Sequence, residues 1–297
     1  NFTTGADAEA PLVITTIPYN GATNVGRDIG KIIIQFNEMM NKTRNSLITI
    51  NPAVTATRTG WIDGGRTVVF TIPQLAANTT YTVTLNSGTN SFQDIAGNNA
   101  QASGQVICTF TTGSQTGSSN LVTEGFENYN SPFFTGFKNI SNDGADWERI
   151  VTERSGNGTT LTPQQGSYMG KASYWDWSIG SYADIVTINS IDMSTVASYI
   201  LEFKMYHERI YNATDCLQVL ISTDGINFSP IQAGALFNIY RYDWSLADDN
   251  PLWSTHYVDL SSFSGTGYGT VWIKLRGYSA GEMGQNVIID DLKLIRY

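Results

Sequence analysis

Basic side chains are scarce in this sequence. Its 297 residues carry 17 Lys and Arg against 26 Asp and Glu, a formal net charge of −9. Nucleic-acid binding needs a surplus of cations to displace phosphate counterions, so that class of function is excluded. Charge of either sign is low, at 14% of residues, yet disorder does not follow. Trp, Tyr and Phe supply 12% of the chain, and a disordered segment is poor in them. No apolar run approaches the ~18 residues of a membrane-spanning helix. The only histidines are His207 and His256, and the only cysteines are Cys108 and Cys216. One cysteine falls in each half of the chain, which excludes a disulfide scaffold and leaves two buried thiols or a single bridge between domains. The alternation of Val106, Cys108 and Phe110 onto one face favours the buried thiol. No Gly-x-Ser-x-Gly elbow, HExxH pair, phosphate-binding glycine loop or Cys–His pairing occurs. Paired carboxylates are always findable among 26 acids, so a glycosidase stays formally open, but the expectation is a protein that is not an enzyme.

What fills the chain instead is Thr, Ser, Asn and 28 Gly, the composition of strands and turns rather than of helices. Period-2 alternation marks strands at 31–36, 67–72, 79–85 and 105–111, then at 199–206, 215–222, 255–260, 270–277 and 286–295. Between the two groups lies the apolar-free run Ser114-Gln115-Thr116-Gly117-Ser118-Ser119-Asn120, which reads as a flexible linker. The length suits two domains, and strands without intervening helical patterns suit sandwiches. Asn-X-Ser/Thr triplets begin at Asn1, Asn41, Asn78, Asn139, Asn157, Asn212 and Asn227; they become glycosylation sites only in a host that glycosylates secreted proteins. The chain starts at Asn1 without Met or signal peptide, which reads as mature or trimmed material.

Phe2-Thr3-Thr4-Gly5 recurs as Phe110-Thr111-Thr112-Gly113, about one sandwich domain later. The economical reading is that residues 1–10 hold the last strand of a preceding homologous repeat, or a linker; chance recurrence in a Thr-rich chain is the alternative. Such a strand could also add to a sheet edge of a neighbouring subunit, giving a homo-oligomer by strand addition.

Residues 11–113 carry Pro18-Tyr19-Asn20-Gly21-Ala22-Thr23-Asn24-Val25, Ile34-Gln35-Phe36-Asn37-Glu38, Leu75-Ala76-Ala77-Asn78-Thr79-Thr80-Tyr81-Thr82-Val83 and Asp94-Ile95-Ala96-Gly97-Asn98. In that order they resemble the bacterial Ig-like domain of the S-layer-protein type, which implies a spacer or stalk. Asp94 to Asn98 reads as a turn whose Asp caps backbone amides while Gly97 takes a positive φ, with a Glu38–Asp94 calcium pair as the alternative.

Beyond a 114–119 linker, residues 120–297 carry Glu124-Gly125-Phe126-Glu127-Asn128, Trp147, Gly166-Ser167-Tyr168-Met169-Gly170 and Trp175-Asp176-Trp177-Ser178. Further on come Leu201-Glu202-Phe203, Ser222-Thr223-Asp224-Gly225 and Val287-Ile288-Ile289-Asp290-Asp291-Leu292. These resemble the jelly-roll domain of MAM-like and cleaved-adhesin-type modules. The fold class is therefore all-β: an Ig-like β-sandwich followed by a jelly-roll (galactose-binding-like) β-sandwich. Alternation should turn one of Asp290 and Asp291 toward the apolar side, where a carboxylate is costly unless paired or metal-bound. In this kind of jelly roll the first and last strands lie side by side. The resemblance implies a structural calcium held by Glu127 and by Asp290 or Asp291, with a carboxylate satisfied by backbone amides or an Arg as the alternative. Asp143, Asp146 and Asp184 are weaker ligand candidates.

For a ligand surface, Trp175 and Trp177 read as core, whereas Asn238 to Pro251 reads as an extended loop. Tyr240, Tyr242 and Trp244 on it are the candidate ligand-binding residues. The expectation is a secreted, extracellular cell-surface adhesion protein that binds a glycan or a protein, with no nucleic-acid partner and no membrane span. Its rivals are a self-assembling subunit of an S-layer, extracellular filament or virion appendage, and an accessory module of a larger secreted hydrolase.

Overall fold

A computed structural model describes residues 7–128, 133–135, 147–154, 160–172, 182–207, 216–231, 238–239, 253–279 and 286–297. Among the described residues the elements are strands and short 3-10 turns, with no α-helix. The protein is all-β, an Ig-like sandwich followed by a jelly roll. The chain divides into two compact units, Asn1–Ser119 with Tyr297, and Asn120–Arg296.

The first unit contains β1 (Val13–Ile17), β2 (Lys31–Phe36), β3 (Ile48–Asn51), β4 (Thr57–Ile62), β5 (Thr67–Thr71), β6 (Thr80–Leu85) and β7 (Val106–Thr111). One sheet runs β1-β2-β5-β4 and the other β3-β6-β7. Alternation explains the packing: Ile32, Ile34 and Phe36 from one sheet and Tyr81, Val83 and Leu85 from the other are all buried. Phe92 closes the core, its ring centroid 5.4 Å from that of Phe36 and 6.4 Å from that of Phe70.

Two readings of this region change. Val106 is 56% exposed while Cys108 and Phe110 are buried, because a bulge pairs Val83 with Cys108 but Thr84 with Val106. The run after Gly113 is tied down rather than free: Gln115 O accepts from Arg27 N, and Gly117 N donates to Asp28 Oδ2 at 2.9 Å. Both cysteines are buried thiols that form no disulfide, which removes the interdomain bridge.

The second unit contains β8 (Ser119–Glu124), β9 (Phe134–Thr135), β10 (Trp147–Ile150), β11 (Glu153–Arg154), β12 (Thr160–Leu161), β13 (Met169–Ala172) and β14 (Tyr182–Thr187). It continues with β15 (Tyr199–His207), β16 (Cys216–Ser222), β17 (Ser229–Pro230), β18 (Asn238–Ile239), β19 (Ser254–Asp259), β20 (Trp272–Tyr278) and β21 (Val287–Arg296). One large sheet runs β10-β13-β21-β15-β19, with β8 also pairing β21, so first and last strands are neighbours. The other runs β17-β16-β20-β14-β9, with β18 also on β16. Their inward positions, among them Phe203, Met205, Val219, Leu275, Val287 and Ile289, form one buried core with Phe126 and Trp147. Trp147 spans it and donates Nε1–H to Ala183 O at 3.0 Å.

Candidate functional site

Three motif segments far apart in sequence meet around β21, the central strand of the β10-β13-β21-β15-β19 sheet. At the end of β8, buried Glu124 accepts the Phe126 amide on Oε1 at 2.5 Å. Phe126 takes a left-handed φ of 60°, which sends its ring into the core and turns Glu127 toward solvent. A Cβ on Gly170 would lie 2.9 Å from that ring, so the glycine of the Met-Gly pair makes room for it. Arg149 on β10 fastens the kink: Nε donates to Phe126 O at 2.6 Å and Nη2 to Glu127 O at 2.5 Å. Its guanidinium lies 3.9 Å from the Tyr168 ring centroid.

Glu127 Oε1 accepts the amides of Ser167 (2.8 Å) and Tyr168 (3.0 Å). Asp290 Oδ2 accepts those of Gln164 (2.6 Å) and Gln165 (2.9 Å), and Oδ1 that of Asp291 (2.7 Å). Segment 164–168 is thus strung between two carboxylates. Gly166 lies midway with φ 66°, and a Cβ there would fall 2.2 Å from Glu127 Oε1. Only glycine fits.

Strict alternation does not decide where Asp290 and Asp291 point. Between Lys204↔Asp290 and Glu202↔Lys293 the register slips, and Asp291 has φ 49°: it is the extra residue of a bulge. The bulge keeps Ile289 and Leu292 both in the main core. Asp290 falls on the other face of the sheet with Ile288, which packs in a second cluster of Leu161, Met169, Tyr206 and Trp253. Trp253 donates Nε1–H to Thr162 O at 3.1 Å and helps hold the cover. Asp291 is only partly buried, and its Oδ1 pairs with Lys293 Nζ at 2.7 Å.

Asp290 is fully buried, and burial pushes its carboxyl up to about 6 against the lowering effect of the Gln165, Asp291 and Gln164 amides. The charge of Asp291 raises it further. Lys204, opposite in the register, donates instead to Thr255 Oγ1 at 2.6 Å. Glu127 and Asp290 therefore offer oxygen donors of the kind calcium takes, and among the described residues Asp290 has no ion-pair partner. In donor chemistry the two residues fit a hard cation; Asp291 is committed to Lys293.

A second acidic group lies in the first unit. Carboxylate oxygens of Asp7, Glu38 and Asp94 come within 4.8 Å of one another, the one such trio among the described residues. Asp94 serves the expected turn: Oδ1 accepts from Gly97 N (2.6 Å) and Asn98 N (2.8 Å), Oδ2 from Asn98 Nδ2 (2.7 Å), and Gly97 has φ 97°. Glu38 is raised by burial and then by the charges of Asp94, Asp7 and Glu9.

Of the other residues singled out in the sequence, Asp184 is buried between Arg276 and Lys274, which occupy it as ion partners. His256 is buried, stacked 5.6 Å from Phe203, with Nε2 2.8 Å from Ser254 Oγ. Tyr240, Tyr242 and Trp244 lie outside the described residues, as do Trp175, Trp177, Asp143, Asp146 and residues 1–5. Sequence reasoning passed over Glu124, Arg149 and the amides of 164–168. The available signal was the pair of glycines in Gly166-Ser167-Tyr168-Met169-Gly170.

A family model described as a bacterial Ig-like domain matches residues 7–112, the span of β1 to β7. Comparison with curated proteins gives no match. Among solved structures, the K3 cleaved adhesin domain of Lys-gingipain from Porphyromonas gingivalis is 14% identical, with 60% of this chain and 99% of that one covered and a TM-score of 0.36. The CBM22-1 xylan-binding domain from Paenibacillus barcinonensis Xyn10C is 9% identical over 62% and 97%, with a TM-score of 0.36. A cyclase from Fischerella sp. TAU is 11% identical over 61% and 98%, with a TM-score of 0.43.

Proposed function

We propose that this is a secreted, non-catalytic surface-adhesion protein in which the Ig-like unit is a stalk and the jelly roll is a head that binds a glycan or a protein. The observation that carries this reading is the convergence of Glu124-Gly125-Phe126-Glu127, Gly166 to Gly170 and Asp290-Asp291. Those segments carry the likeness to MAM-like and cleaved-adhesin-type modules, and they meet through specific hydrogen bonds. The match of residues 7–112 to a bacterial Ig-like domain supports the stalk. Among the described residues no helix is long and apolar enough to cross a membrane.

A structural calcium held by Glu127 and Asp290 belongs to this reading. It would supply a countercharge for Asp290, which has none among the described residues, and fix segment 164–168 against the sheet. The rival reading, assembly by strand addition, meets an obstacle at β7: its outer edge is taken by Gly21, Ala22 and Asn20, which bond Thr109 O, Thr111 N and Thr109 N. The test is binding of labelled full chain to bacterial and host cells, with soluble polysaccharides and protease-treated cells as competitors. Saturable binding abolished by one of these treatments supports the head. Filaments without cell binding would support assembly instead, and release of sugar from the cells would support a hydrolase.

A further inference from the structure

In the first unit, a stretch that is not a regular strand runs beside β7 in the same direction. Gly21 (φ 92°) and Asn24 (φ 53°) interrupt it, yet residues 20–28 keep step with 109–117. Gly21 N donates to Thr109 O at 2.6 Å, Thr111 N to Ala22 O at 2.8 Å, and Val25 N to Thr111 O at 3.1 Å. Gly113 N then donates to Val25 O at 3.0 Å, and Arg27 N to Gln115 O at 3.4 Å. Side chains close both ends: Asn20 Oδ1 accepts from Thr109 N and Asp28 Oδ2 from Gly117 N, each at 2.9 Å. The ladders β1-β2, β2-β5, β4-β5, β3-β6 and β6-β7 are antiparallel, but the bridge Val25↔Thr112 is parallel.

That direction decides how the contact meets a pull. The chain enters the contact at Asn20 and leaves it at Gly117, which are its opposite ends. Tension between the two ends of the unit therefore slides 20–28 along 109–117 and strains every bond at once. An antiparallel hairpin pulled by its two ends opens one bond at a time. β1 pairs with β2, so the contact still joins the two ends if β1 detaches. The middle of the contact is dry: Ala22, Val25, Thr112 and Gly113 are buried, which keeps water from replacing a bond as it lengthens. A third segment ties both halves together. Leu75 N donates to Arg27 O at 2.8 Å, Thr112 N to Thr79 O at 3.0 Å, and Thr112 Oγ1 to Ala76 O at 2.7 Å.

Resting on the reading of this unit as a stalk, we propose that the pairing of 20–28 with 109–117 is a tension clamp. It keeps the first unit folded while the chain is pulled between the unit's ends. Resistance then depends on the direction of pull, and it is set by the barrier to unfolding rather than by equilibrium stability. Residues after Gly113 belong to the device through Gln115 and Gly117.

The test is single-molecule force spectroscopy of the full chain, with handles on introduced cysteines, both native thiols being buried. Ala8→Cys with Ser118→Cys pulls along the clamp. Gln74→Cys with Ser118→Cys peels it from one end, because Leu75 bonds Arg27, whose amide bonds Gln115. All three positions are exposed. The first pair should unfold the unit at about twofold higher force than the second at the same loading rate. In the first geometry, Val25→Pro removes one clamp donor and Asn20→Ala one acceptor, and each should lower the force by about a quarter or more. Ile50→Ala, in the buried part of β3, should lower stability to urea and leave the force unchanged. If Val25→Pro fails to fold, the two pulling directions and Asn20→Ala decide. Equal force in both directions overturns the clamp, as does a force that follows urea stability across the variants. Cell-surface binding with equal forces overturns the clamp alone. The expected forces in a chain that binds no cell surface support the clamp and overturn the stalk reading.

Discussion

At the scale of single residues, the most exacting positions are those where backbone and side chain compete for the same space. Gly166 has a positive φ and faces Glu127 so closely that a Cβ would displace the carboxylate from the Ser167 and Tyr168 amides. Gly166→Ala should cost about 1–3 kcal/mol, read by urea denaturation, and should free segment 164–168 for faster amide exchange. Asp290 is a pH-dependent element. Its carboxyl is raised, so the folded state holds the proton more tightly than the unfolded chain, whose carboxyl titrates near about 4. Its contribution to stability is therefore greatest below about pH 4 and is lost as pH rises toward about 6. In EDTA, Asp290→Asn should flatten the slope of stability against pH over that window. An unchanged slope would mean that Asp290 does not titrate there. The sequence showed that adjacent acids in an apolar strand need partners, either a cation shared with Glu127, as the family resemblance implied, or backbone amides or an Arg. It did not show the amides of 164–168 as those partners, because a backbone donor has no residue type to read.

At the scale of elements, alternation was legible and its interruptions were not. Strands such as β6 and β20 alternate buried and less buried positions closely, while β16 is buried along its whole length. Shorter strands such as β3, β10 and β13 gave weaker periodic signals and emerge from pairing with longer neighbours. The bulges in β7 and β21 each move a side chain to a face that strict alternation would not give. At Asp291 the bulge sets a testable backbone demand. Asp291→Gly and Asp291→Val both lose the Lys293 pair, but only Val meets the left-handed φ with a branched side chain. Val should be less stable than Gly by about 1–2 kcal/mol in denaturant titrations. The Ser222-Thr223-Asp224-Gly225 motif was legible as a turn for a physical reason. Asp224 accepts the amides of Ile226 and Asn227, which hold its carboxyl well below the usual range.

At the scale of the whole molecule, two compact units each have their own buried side chains, and each should unfold as a cooperative block. Calorimetry of the full chain should show two transitions. Calcium should raise only the one assigned to Asn120–Arg296, and Glu127→Gln should abolish that shift. A shift confined to the other transition would move the ion to Asp7, Glu38 and Asp94. The low charge of the sequence takes its place here too. Among the described residues Asp94, Glu124, Asp184 and Asp290 are buried acids that organise their surroundings.

The central claim, that the second unit is a non-catalytic binding head, is tested most directly by one measurement. The full chain and residues 7–119 are passed over immobilised polysaccharides and cell-surface proteins, and reducing ends are counted in the eluate. The account predicts saturable retention of the full chain by at least one surface, no retention of residues 7–119, and no new reducing ends. Retention of residues 7–119 alone, failure of the full chain to bind any surface, or release of reducing ends would contradict it.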